Sequence, residues 1–150
     1  VEEDEQNDKL ILKFTDNGTG MSQETLEKVL NPFFTTRTTR KVGLGLSLIK
    51  QNAEQTGGSL EIESELGKGT VVTVIFGLSS IDRPPMGDLA GTIVLTASAY
   101  PDVRFIVNYK NSKVDYVFDT DEINEALDGI SIQEPEIIQY LTEMFRENIS

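Results

Sequence analysis

Residues 9–21 read KLILKFTDNGTGM, and the change of character within this stretch governs how the rest of the chain is understood. Leu10, Ile11, Leu12 and Phe14 make a short apolar run that stops at Asp16-Asn17-Gly18, the pattern of a buried β-strand running into a loop. An acid at that point can accept a hydrogen bond from an exocyclic amine. Gly18 and Gly20 let backbone approach a flat ligand with no Cβ in the way. Taken alone the signal is weak, because Asp-Asn-Gly is among the commonest turn sequences.

Upstream of this strand, residues 1–8 (VEEDEQND) read as a solvated turn between strands; the chain opens at Val1 without a methionine, and a preceding segment is expected. Downstream, SQETLEKVL (22–30) predicts a helix with Ser22 as N-cap, Glu24 and Glu27 in its early turns, and Pro32 preventing continuation. After an irregular stretch from Asn31 to Val42, a second helix is predicted over Leu44–Thr56. Leu46, Ile49 and Ala53 share one of its faces, and Gly57-Gly58 supply the stop. Gly43, Leu44 and Gly45 open this helix next to Arg37, Arg40 and Lys41. A helix N-terminus exposes unpaired N–H groups, so glycines and guanidinium groups there suit a phosphate cradle; an ordinary glycine-started helix with a solvated basic loop has the same composition. Neither a Walker loop nor a Gly-x-Gly-x-x-Gly fingerprint occurs.

SLEIES (59–64) and TVVTVIFGL (70–78) read as two strands joined through Leu66-Gly67-Lys68-Gly69, a turn whose glycines are mostly structural in hairpins. One strand, two helices and a hairpin make an α+β layer over residues 1–78. Residues 79–91 (SSIDRPPMGDLAG) lose periodicity and read as a linker, and residues 92–150 as a small α+β accessory region. Within it, Gly91–Ala99 reads as a strand. FIVNY and VDYVF alternate around Lys110–Lys113 as a hairpin with Phe105, Val107 and Tyr109 facing one way. Glu134–Asn148 reads as a helix, with Pro135 in its first turn and an apolar stripe of Ile137, Ile138, Leu141, Met144 and Phe145. Asp119–Glu122 fits a helix start better than a calcium loop, whose glycine and terminal glutamate are out of register here.

With 150 residues and 38% apolar content the chain can bury a core, and it contains no run long enough to span a membrane and no leader-like start, which makes the cytoplasm the expected compartment. A net charge of −12 argues against duplex DNA or an anionic membrane as partner. The chain has no cysteine and no histidine. That excludes thiol nucleophiles, Ser-His-Asp catalysis and any phosphohistidine formed within it.

Order and spacing sharpen the reading. Asp16-x-Gly18-x-Gly20, then Asn31-Pro32-Phe33-Phe34-Thr35-Thr36, then Gly43-Leu44-Gly45-Leu46, then residues 57–70 (GGSLEIESELGKGT) closely resemble the C-terminal part of the GHKL superfamily of ATP-binding domains, over about residues 9–78. Within that group the chain looks most like the histidine-kinase module. The resemblance implies a two-layer α/β sandwich of the Bergerat type, with the family's N-terminal helix not recognisable here. It also implies that Asp16 binds the adenine amino group, that Gly18 and Gly20 shape the pocket, and that Thr70 supports adenine directly or through water. Phe33 and Phe34 match the aromatic box that anchors the lid, although they serve equally well as ordinary core residues. Gly43, Leu44 and Gly45 match the glycine box at the phosphates. Arg37, Arg40 and Lys41 are candidate phosphate contacts by charge and location alone. The family also implies Mg2+ held by an asparagine on a helix before the first strand; Asn7 and Glu5 stand in the wrong context for that role. Asp82-Arg83-Pro84-Pro85 and the lid sequence resemble small stand-alone histidine-kinase-like ATPases of bacteria. Two functions are expected: an ATP-binding signalling protein, ATPase or kinase, that presents its γ-phosphate to a protein partner in trans, or a nucleotide-gated protein-binding module with little or no catalysis.

Overall fold

A computed structural model describes residues 1–31 and 45–150. They form six strands and five helices, an α+β architecture. The chain divides into two compact units, Val1–Pro84 and Pro85–Ser150.

The first unit is an antiparallel sheet with strand order β3-β4-β2-β1, made from β1 (Glu2–Asp4), β2 (Lys9–Asp16), β3 (Ser59–Glu65) and β4 (Gly69–Gly77), with helices α1 (Gln23–Lys28) and α2 (Gly45–Gln55). Register sorts the side chains. Directly opposed residues of an antiparallel pair share a face, so Leu10 with Phe76, Leu12 with Val74, Phe14 with Val72 and Asp16 with Thr70 lie on one side. Leu60 with Val74, Ile62 with Val72 and Ser64 with Thr70 extend that side across the hairpin. This face is apolar except at one end. Helix α2 packs on β3 and β4, and Ala53, Leu60, Val74 and Phe76 are buried.

Helix α2 ends as the glycine pair demands. Gly57, at φ +80°, donates to the carbonyl of Glu54 (3.0 Å), and Gly58 donates to that of Ala53 (2.9 Å), the two bonds of a Schellman ending. The Thr56 hydroxyl donates to Ala53 O (2.7 Å) and accepts from the Gly77 N–H (2.9 Å), fixing this helix end to β4. Ser22 caps α1 as expected, accepting from the Thr25 N–H. Two expectations need correction. Glu2–Asp4 is not turn but strand, because pairing with Lys9–Ile11 satisfies its backbone in spite of residues that disfavour strands; the turn is confined to the residues between. Strand β2 is buried only in its first half. Leu10 is 3% exposed but Phe14 is 58% exposed, so the apolar floor is covered at one end and open at the Asp16 end.

The second unit contains α3 (Leu89–Ala99), the hairpin of β5 (Ile106–Lys110) and β6 (Asp115–Asp119), α4 (Thr120–Leu127) and α5 (Pro135–Ile149). Gly91–Ala99 is therefore helix, not strand. Its β-branched residues mimic a strand, but Ala90, Val94 and Ala97 recur at helical spacing and are buried, and the Asp88 carboxylate caps the N-terminus by accepting from the Gly91 N–H (3.1 Å). Arg146 grips the same carboxylate through Nη2 (2.6 Å) and, with Gly91, holds it below the usual carboxylate range. Asp119 repeats the device at α4. It accepts from the Asp121 N–H (3.0 Å) and takes both Nε (3.1 Å) and Nη2 (2.7 Å) of Arg104, whose hydrogen bond lowers its pKa.

Ala90, Val94, Ala97, Phe118, Ile132, Leu141 and Phe145 make the core, with the Phe145 ring 5.2 Å from those of Tyr116 and Phe118. Among the described residues no helix is long and apolar enough to cross a membrane. Phe145 is fully buried, so Phe145→Ala is expected to cost about 3–5 kcal/mol by the usual toll of deleting a buried aromatic. Urea denaturation of the full chain, followed by tyrosine fluorescence, will register this as a lower midpoint for the second unit.

Candidate functional site

The site is built where the open end of the apolar face meets the loop after β2. β2 and β4 pair along their whole length, which sets Asp16 directly across from Thr70, and the β3–β4 hairpin sets Ser64 on the other side of Thr70. Ser64, Thr70 and Asp16 thus form one cross-strand polar row closing the face that Leu60, Val74 and Leu12 begin. Residues separated by more than fifty positions in sequence become neighbours because of pairing register alone.

The loop from Asp16 is folded back on the strand ends. The Asp16 Oδ1 atom accepts from the Gly18 N–H at 2.9 Å, a turn closed by the side chain, and Asp16 itself is exposed. The Gly67 N–H donates to the Thr19 carbonyl at 2.7 Å, and the Met21 N–H donates to the Ser64 hydroxyl at 2.8 Å. Two glycines permit this closeness. Gly20 sits at φ +69°, and a Cβ there would stand 2.0 Å from the Glu65 carbonyl oxygen. Gly69 sits at φ +114°, and a Cβ there would stand 2.0 Å from the Asp16 carbonyl oxygen. Both conformations are also ones that L-residues rarely adopt.

Of the residues singled out in the sequence, Asp16, Gly18, Gly20 and Thr70 come together here. Gly45 begins α2, and among the described residues nothing lies within 4 Å of a Cβ built on it. Phe33, Phe34, Arg37, Arg40, Lys41, Gly43 and Leu44 lie outside the described residues. Sequence reasoning missed Ser64 and took Gly69 only as part of a structural turn. Ser64 was legible in principle, because alternation along Leu60, Ile62 and Ser64 places it on the apolar face once the hairpin register is known.

The arrangement fits the base of a purine nucleotide. It offers an open apolar floor at Phe14 ending in oxygen acceptors, with backbone brought close by residues that carry no side chain. Asn7 is not placed to hold magnesium. Residues 1–15 form β1, a turn and β2, and the Asn7 amide is spent on Asp4 Oδ2 at 2.7 Å. Among the described residues no group of three or more acidic side chains is arranged to hold a metal ion. A shallow groove of about 230 Å³ between Asp8, Gly58 and Phe76 lies at the far end of the sheet from Asp16. Its backbone groups are largely engaged, Leu78 and Ser79 donating to Asp8 and Gly77 to Thr56. It is a seam, not a ligand site.

Gly69→Ala and Gly20→Ala should therefore each push the Asp16 loop off the strand ends. Each is expected to lose about 1–3 kcal/mol of stability, the scale of strain at a positive-φ position. Thermal unfolding of the two variants checks this, and a midpoint equal to that of the wild type would contradict the packing described.

Residues 1–80 match the histidine kinase-, DNA gyrase B- and HSP90-like ATPase family. The chain is 43% identical over 77 residues to a sensor protein of Shewanella frigidimarina, 43% over 68 residues to sensor kinase CckA of Brucella abortus, and 43% over 72 residues to sporulation kinase D of Bacillus subtilis. These alignments cover 51%, 45% and 48% of the chain but only 12%, 7% and 14% of the relatives. The match takes in more than half of the 150 residues and the whole sheet of the first unit, and the chain belongs to the histidine kinase-, DNA gyrase B- and HSP90-like ATPase family.

Proposed function

We propose that the first unit binds an adenine nucleotide and that the protein acts in signalling, handing the γ-phosphate of ATP to a partner in trans. The observation that carries the first half is the Asp16–Thr70 row at the uncovered end of the apolar sheet face. The purine ring lies on that floor, its amino group donates to the Asp16 carboxylate, and the Thr70 hydroxyl supports the ring edge. The Asp16 Oδ1 atom is already engaged with Gly18, which holds the carboxylate in place before the ligand arrives. The phosphates extend toward the start of α2, where Gly45 leaves space and the helix dipole favours negative charge. Phe33, Phe34, Gly43 and Leu44 are proposed for the lid and phosphate side from the family resemblance, and Arg37, Arg40 and Lys41 as phosphate contacts from their charge and place in the sequence; all seven lie outside the described residues.

Residues 1–150 contain no histidine, so the acceptor of a phosphohistidine transfer lies outside them. Such transfer is supported also by two of the relatives, named as a sensor kinase and a sporulation kinase. The cytoplasm, where ATP is available, is the proposed place of action. A nucleotide-gated binding module is the second reading. It is favoured by exposed apolar side chains on the second unit, Tyr140 at 62% and Ile106 at 52%, which suit contact with a protein.

Two substitutions separate the parts of the site. Asp16→Asn retains the oxygen that Gly18 needs but replaces an acceptor by a donor, and it is expected to weaken ADP binding by about 1–3 kcal/mol with the fold intact. Gly45→Ala, with no neighbour to strike among the described residues, should leave stability equal or higher while lowering ATP affinity. Titration calorimetry on the full chain reads both; unchanged ADP affinity in Asp16→Asn would refute the adenine role. With γ-labelled ATP, the expected result is label on an added histidine-bearing acceptor and no acid-labile label on the chain itself. Nucleotide-dependent association without any transfer would favour the gating module instead.

A further inference from the structure

The hydroxyl of Ser64 sits at the centre of three hydrogen bonds, and counting its protons gives a direction to the whole row. Ser64 Oγ is 2.8 Å from the Met21 N, 3.0 Å from the Gly69 carbonyl oxygen and 2.8 Å from Thr70 Oγ1. A serine hydroxyl has one proton to give and two lone pairs to receive with. The Met21 N–H can only donate, so it takes one lone pair. The Gly69 carbonyl can only accept, so it takes the proton. What remains for Thr70 is the second lone pair, and the Thr70 hydroxyl must then be the donor in that contact. Only this assignment fills all three contacts with one proton apiece. Its consequence is that Thr70 has spent its single proton on Ser64 and presents only lone pairs elsewhere.

Thr70 therefore faces the site as an acceptor, alongside the Asp16 carboxylate directly across the strands, which is acceptor-only when ionised. Two acceptors side by side accommodate an edge that carries an amino group. They oppose a carbonyl oxygen at the same position, where lone pair would meet lone pair. We infer that Ser64 is a positioning residue of the nucleotide site, polarising the Thr70 hydroxyl so that the row selects a 6-amino purine over a 6-oxo purine. This rests on the adenine reading of Asp16 and adds a residue, and a reason for base selectivity, that Asp16 alone does not supply. Ser64 reaches no ligand itself in this scheme. It acts through Thr70 and through the Met21 backbone that helps to hold the loop.

The test compares ADP with IDP, which differ in the amino or oxo group at position 6, by titration calorimetry on the full chain. The wild type is expected to prefer ADP. Ser64→Ala returns the Thr70 proton, which is then free to turn toward a carbonyl, and the ADP:IDP affinity ratio should narrow by roughly three- to tenfold, the scale of one hydrogen bond. Ser64→Thr keeps the hydroxyl and should keep the ratio. In a Thr70→Val background there is no proton to direct, and adding Ser64→Ala should leave the ratio unchanged. A Ser64→Ala variant that weakens both nucleotides equally would make Ser64 merely structural and overturn the inference, as would a ratio that Ser64→Ala narrows just as much when it is added to the Thr70→Val background. If Ser64→Ala fails to fold, Ser64→Thr and Thr70→Val still decide: loss of the ratio in the former, or its retention in the latter, refutes the scheme. Failure of the underlying reading looks different, because ADP would then not bind the wild type or would bind Asp16→Asn equally well, and either result removes both proposals.

Discussion

Antiparallel pairing of β2 with β4 is the constraint on which the rest of the first unit depends. Because side chains alternate with a period of two, a single register decides together which residues face the helices and which polar groups meet at the strand ends. With Leu10 opposite Phe76, the residues Leu12, Phe14, Val72 and Val74 fall on the same side, and Asp16 must then stand opposite Thr70. The hydrophobic effect fixes the register, and the register builds the polar row. Neither Asp16 nor Thr70 needs any interaction with the other to be placed.

This ordering explains which parts were legible beforehand. The apolar run of β2, the N-cap Ser22, the glycine stop of α2 and the β3–β4 hairpin are local signals, written in consecutive residues, and each is found in the structure. Gly91–Ala99 was not legible as helix because Thr92, Ile93, Val94 and Thr96 satisfy a strand by local preference. What makes the segment helical is burial of Ala90, Val94 and Ala97 in a core completed by Phe118, Leu141 and Phe145, together with a carboxylate cap tied by Arg146 far along the chain. Glu2–Asp4 misleads in the opposite sense, since charged residues form a strand there only because β2 offers a partner.

The candidate site divides along the same line. Asp16, Gly18 and Gly20 are adjacent in sequence and stood out as a motif. Thr70 stood out only through family resemblance, and Ser64 did not stand out at all. Its importance comes from three contacts, with Met21, Gly69 and Thr70, that exist only after the hairpin closes and the loop folds over it. Hydrogen-bond satisfaction is a property of the folded arrangement, and no composition or spacing rule announces it.

The hairpin between Glu65 and Gly69 has a further consequence for how such a sequence can change over time. Leu66 and Lys68 are exposed, so their identities are open to drift. What is constrained is the register: a one-residue slip of β3 against β4 would carry Ser64 to the opposite face of the sheet, so heredity can rewrite that turn only in ways that keep the three oxygens aligned.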